Sequence, residues 1–204
     1  MVQISGGTID ITASDDGINA AGGTDESAAG GRFGNDSFAS SGYYSIDITG
    51  GDVNLYTKGD GIDSNGDITI SDGNILVIIN SSADNDAIDC DGTFTAAGGN
   101  IIYGGTGAGT SPQGGSTQSY LYTSDGISAG SELNVQQNGS TLLSFTLEHD
   151  AQYLAVSTPE ITNGEDYDLY NGSSLLTTLT AGTGEMGGMG GRGGQNGAGK
   201  RPDK

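Results

Sequence analysis

The sequence has no tryptophan, one cysteine, one histidine and three prolines among its 204 residues. With a single cysteine there is no disulfide framework. Cys90 stands between Asp89 and Asp91 at a turn and reads as a small structural thiol rather than a nucleophile. Bases are almost as scarce, with six Lys and Arg against 26 acids and a net charge of -20. Residues 1–181 carry only Arg32 and Lys58 against 24 acids. Such a body repels phosphates, which excludes nucleic acid as a partner. No window combines helix formers with a 3.6-residue apolar period, so helix is not expected. No signal peptide or membrane-spanning run is visible, so membrane insertion is not expected. Met1 runs almost directly into a repeat, as in a mature or trimmed chain.

What is abundant is glycine, at 39 residues, with Ala, Ser, Thr, Asn and Asp beside it. These fall into a repeat. Gly50 to Gly92 holds two units of Gly-Gly-x-Val or its like, alternating apolar residues, an Asp-x-Ile-Asp turn and a second short run. The turns are Asp60-Gly61-Ile62-Asp63 and Asp86-Ala87-Ile88-Asp89, with an earlier copy at Asp16-Gly17-Ile18-Asn19 and a partial unit at Gly98-Gly99-Asn100-Ile101. From Gly7 to Gly51 is 44 residues, from Gly51 to Gly73 is 22 and from Gly73 to Gly99 is 26. Short strands repeated at such periods predict an all-β solenoid, a parallel β-helix. Ile9, Ile11, Val53, Leu55, Ile75, Val77 and Ile101 then stack inward in one column, and Ile18, Ile62 and Ile88 in another. The domain reading is a β-helix over 1–130 with a loop inserted at 20–42, a small C-terminal β cap over 131–181, and a flexible Gly-rich tail over 182–204.

Stacking the turns puts carboxylates about 4.8 Å apart in a ladder that repels itself. Turn chemistry accounts for one Asp per turn, through side-chain bonds to the backbone, but poorly for three or four. Asp84-Asn85-Asp86-Ala87-Ile88-Asp89-Cys90-Asp91 is the densest stretch, with Asp60 and Asp63 one unit earlier and Asp15-Asp16 on the first. Oxygen donors at one- and two-residue spacing suit Ca²⁺, and neither zinc nor copper finds the His or Cys it prefers. The candidate metal ligands are Asp15, Asp16, Asp60, Asp63, Asp84, Asp86, Asp89 and Asp91. The candidate sugar contacts are Arg32, Tyr56 and Lys58, Tyr56 joining Leu76 and Ile78 in an apolar stripe on the outer sheet face, covered either by the inserted loop or by a sugar ring. His149 stands alone and is expected to face water.

GDGIDSNGDITISDG and SDDGINA, together with the segment SELNVQQNGSTLLSFTLEHDAQYLAVSTPEITNGEDYDLYNG and the Met/Gly/Arg-rich tail, resemble a bacterial carbohydrate-binding β-helix family over about residues 4–190. The resemblance implies an extracellular or cell-surface, right-handed, pectate-lyase-like β-helix that binds calcium and cellulose or acidic polysaccharide such as polygalacturonate. It carries calcium onto Asp60, Asp63, Asp86 and Asp89, where the motif matches, and carries over no sugar contact. A lyase would need calcium and a base at the sugar, and only Arg32 and Lys58 are candidates. A hydrolase pair at Asp15-Asp16 lacks the His and bases such sites use on substrate. The expectation is therefore a non-catalytic, calcium-binding polysaccharide-binding protein. A calcium-dependent lyase and a structural or adhesive surface protein are the alternatives.

Overall fold

The computed structural model describes residues 1–20, 44–81, 85–106 and 109–182; Arg32, Asp84, the inserted loop up to residue 43 and nearly all of the Gly-rich tail lie outside them. The described residues are all β, in three sheets, with no helix among them and so none that crosses a membrane.

Five parallel strands come first: β1 (Val2–Thr12), β3 (Ser45–Thr57), β5 (Asp67–Ile79), β7 (Phe94–Ala96) and β8 (Asn100–Gly105). The sequence intervals reappear as their register. Ile9 pairs with Val53, Val53 with Ile75, and Ile75 with Ile101. The short strands β2 (Ile18–Ala20), β4 (Ile62–Ser64) and β6 (Ile88–Cys90) form a second parallel sheet with Ile18, Ile62 and Ile88 in line. One core lies between these two sheets, where Ile62, Ile75, Val77, Ile88 and Ile101 are wholly buried. The long strands bend at their glycines. Gly51 and Gly73 have φ of +106° and +109°, and a Cβ at Gly73 would lie 2.7 Å from the Gly51 carbonyl oxygen. Only glycine allows both the backbone angle and the close stacking there.

The expected right-handed parallel β-helix with a terminal cap is corrected by the strands that follow. Beyond β8 the large sheet continues with β12 (Tyr153–Ser157) and then β9 (Tyr120–Thr123), both antiparallel contacts, so that the seven-stranded sheet is mixed. The physical reason is local. After Gly105 the Gly-Gly-x-Ile signature ceases, and no further copy exists to accept the β8 edge. Tyr-Leu-Ala-Val-Ser fills it instead, with all five residues buried because both faces are covered. Residues 153–157 thus join the same sheet as the strands of the repeat.

The third sheet is antiparallel, in the order β11 (Ser140–Thr146), β10 (Glu132–Gln137), β13 (Asp166–Asn171), β14 (Ser174–Thr180). It packs on the outer face of the large sheet. Leu133, Val135, Tyr167 and Leu169 share a second core with Ile78, Ile102, Leu154 and Val156. This sheet buries Ile78 of the outer apolar stripe and leaves Tyr56 and Leu76 half-buried at its margin.

Candidate metal centre and an adjoining cleft

The turns between the long and short strands carry the acids. Asp16 and Asp60 precede β2 and β4, and Asp63 lies within β4. Parallel pairing of the short strands aligns Asn19 with Asp63, and Asp63 with Asp89. Each turn hooks onto the next through a carboxylate: the Asp60 amide donates to Asp16 Oδ1 at 2.9 Å, and the Asp86 amide to Asp60 Oδ1 at 2.6 Å. Asn19 bridges two acids, its Nδ2 donating to Asp16 Oδ2 at 2.7 Å and to Asp63 Oδ2 at 2.8 Å.

Asp16, Asp60 and Asp63, all half-buried, each offer an oxygen within 4.8 Å of the others. Burial pushes the Asp60 carboxyl up to about 7, with further pressure from the charges of Asp89, Asp16 and Asp63 and partial relief from its bond to the Asp86 amide. Burial, then Asp89, Asp16 and Asp91, push Asp63 up to about 6. Asp89 is raised by burial and by Asp91. Cys90, half-buried behind them, is pushed up to about 12 by burial and the surrounding carboxylates, as befits an inert thiol. The three crowded carboxyls form an all-oxygen donor set for a hard divalent cation, which would displace the protons that Asp60 and Asp63 release only reluctantly.

Of the eight expected metal ligands, the geometry gathers three. Asp89 stands one position away, opposite Asp63. Asp15 is exposed and contributes a carbonyl that accepts from the Gly59 amide. The Asp86 carbonyl likewise accepts from the Gly61 amide. Asp91 is exposed, with Oδ2 accepting from Asn65 at 3.1 Å. Asp84 lies outside the described residues. Asn19 was missed, although it occupies the repeat position of Asp63 and Asp89.

The candidate sugar contacts divide. Arg32 lies outside the described residues. Lys58 is exposed on the turn leading to Asp60, with its carbonyl accepting from Asn85. Tyr56 points outward, but His149 covers one face of its ring, with centroids 3.4 Å apart and planes at 14°. The expectation of a solitary, water-facing His149 is corrected: the residue follows β11, and packing of that sheet on β3 delivers it there.

Beside this stack, a cleft of about 390 Å³ runs between the outer face of β1, β3, β5 and β8 and the β11 edge of the antiparallel sheet. Compared with protein-family models, with curated proteins and with solved structures, the chain finds no match, so the resemblance to a carbohydrate-binding family rests on its own quoted residues.

Proposed function

We propose that this is a calcium-binding, non-catalytic polysaccharide-binding protein that acts outside the cell on acidic polysaccharide such as polygalacturonate. The observation that carries the reading is the convergence of Asp16, Asp60 and Asp63 oxygens within 4.8 Å. Three protein oxygens leave several of the six to eight positions of calcium for water and for ligand. Polygalacturonate is a polyanion, and direct contact with a chain of net charge -20 is repulsive. A cation shared between protein and uronate carboxylates removes that repulsion. Lys58, exposed on the turn before Asp60, can meet a second uronate beside the ion. Among the described residues, no Arg or Lys belongs to the cluster to act as the base that a lyase needs at the sugar, which favours binding over cleavage.

The test is affinity electrophoresis in gels containing polygalacturonate, with calcium or with EDTA. Retardation is expected only with calcium, weakened by Lys58→Ala and lost in Asp60→Asn. Retardation that persists in EDTA, with circular dichroism showing a folded chain, would remove the ion bridge. Appearance of unsaturated uronate in the same mixtures would favour the lyase instead.

A further inference from the structure

The Asn-Gly pairs of the chain differ in what holds their reacting groups. We infer that Asn138 is a site of spontaneous covalent modification, at which the folded protein turns an amide into an acid with water as the only co-reactant.

The chemistry belongs to the pair. The backbone nitrogen of the glycine attacks the asparagine Cγ, and a C–N bond forms. The Cγ–Nδ2 bond breaks, Nδ2 takes up the proton that the backbone nitrogen gives up, and ammonia leaves. One water then opens the five-membered imide at either carbonyl, giving aspartate or isoaspartate. Glycine favours the attack because no Cβ shields its nitrogen.

The sequence holds five such pairs, beginning at Asn65, Asn138, Asn163, Asn171 and Asn196, the last outside the described residues. The structure ranks the other four by what each glycine amide is doing. The Gly66 amide donates to Ser64 Oγ at 3.1 Å. The Gly164 amide donates to the Ala181 carbonyl and the Gly172 amide to the Glu132 carbonyl, each at 2.8 Å. An amide held in this way cannot turn toward the preceding side chain without losing its bond. Two of the side chains are held as well. Asn65 Nδ2 donates to Asp91 Oδ2 at 3.1 Å and Asn171 Nδ2 to Ser131 Oγ at 3.0 Å.

Asn138 and Gly139 are free of all such ties. They form the exposed tip of the β10–β11 hairpin, with φ of +52° and +77°. Among the described residues, neither the Asn138 side chain nor the Gly139 amide has a hydrogen-bond partner. Attack requires the peptide between them to rotate. The Gln137–Ser140 pair closes the loop, so that rotation loosens one rung at the end of a ladder. Opening at such a tip is among the cheapest motions of a fold.

The product gains a negative charge. Isoaspartate also routes the backbone through the former side chain, which adds a methylene to a two-residue loop. Loop length sets hairpin register, so the strain falls on β11.

Incubation of the full chain in mildly alkaline buffer, followed by peptide mass mapping and isoaspartate detection, tests this. In the folded chain Asn138 should convert about tenfold faster than Asn65, Asn163 or Asn171, the effect of one hydrogen bond fewer to open. In concentrated urea the four rates should converge. Asn138→Gly keeps a residue that accepts the positive φ and should remove the fast phase. Ser131→Ala frees the Asn171 side chain but leaves the Gly172 amide bonded, and should create no second fast site. Equal rates at the four sites of the folded chain would overturn the inference, as would a fastest site other than Asn138. A fast phase that survives in Asn138→Gly would do the same. Acceleration of Asn171 to the rate of Asn138 in Ser131→Ala would overturn the ranking by glycine amides.

Discussion

In the antiparallel sheet an acid faces a hydroxyl, whereas in the small parallel sheet an acid faces an acid. Asp166 lies opposite Thr180 and Asp168 opposite Thr178, each accepting a hydrogen bond at 2.6 Å. Asp63 lies opposite Asp89. Parallel stacking of a repeat places each residue on its own copy, so whatever is repeated is concentrated. Repeated isoleucine makes a core; repeated aspartate makes a field. On the outer face of the large sheet the repeat has been varied, setting Asn54 on Asp10 and Asn74 on Asp52, and the field is cancelled there. At the turns it has been kept. A charge conflict kept in one place and dissolved in two others is what directs attention to a counter-ion.

The largest expected effect is thermal. An ion bound only by the native state adds about 2.7 kcal/mol at a hundredfold excess over its Kd, which for a domain of this size raises Tm by roughly 5–10 °C. Melting in calcium and in EDTA should differ by that much for the wild type and for Asp168→Asn, and hardly at all for Asp60→Asn. Coincident wild-type curves would erase the contrast between the two sheets.

Acid should act with an unusual sign on the ion-free protein. Asp60 near 7 and Asp63 near 6 lie above the 3.8 of an unfolded carboxyl, so the folded state binds the extra protons. The stability they confer is complete below about pH 4 and is lost as pH rises through 6 and 7. In EDTA the urea midpoint should therefore be higher at pH 5 than at pH 8, and calcium should flatten or invert the difference. A midpoint in EDTA that climbs toward pH 8 would mean that the carboxyls are not crowded in solution.

A smaller effect concerns what joins the antiparallel sheet to the large one. His149→Ala removes the stack on Tyr56 and should cost about 0.5–1.5 kcal/mol in urea unfolding. It should leave calcium titration unchanged, since the ring lies outside the acid cluster. A change in calcium affinity would show that sheet docking and the turn column are coupled.

The finest discrimination is one of sign. In EDTA, Asp89→Asn should stabilise the fold by up to about 1 kcal/mol by removing like charges opposite each other, and Asp168→Ala should destabilise it by a similar amount. Both variants destabilising would show that Asp63 and Asp89 are already neutralised without an ion.

How much of this was legible depended on repetition. Ile9, Val53, Ile75 and Ile101 align by spacing alone, because a repeat states its own register. The turn aspartates were legible for the same reason, and Asn19 could have been added by position. What the residues from 106 onward would do was not, since an alternating segment declares that it is a strand and not which edge it joins. Tyr153 to Ser157 reads as a strand of the C-terminal region, and its place between β8 and β9 is set by an edge that the repeat leaves open. The same limit hid the pairing of Tyr56 with His149. Neither neighbour is coded by spacing, and only the docking of two sheets brings them together.

The place of β12 bears on how the chain is made. Its position is fifth in the sheet, between strands synthesised earlier, and β9 has no other partner in that sheet. As the polypeptide leaves the ribosome, the strands up to β8 can pair one after another, each new copy settling on the last. At that stage β8 presents an open edge and β9 has nothing to hold. Both wait until Ser157 has emerged, several seconds after Gly105 at roughly 5–20 residues per second. During that interval the nascent protein offers an unpaired, aggregation-prone border, and the chain closes it from within by threading a late strand between two early ones.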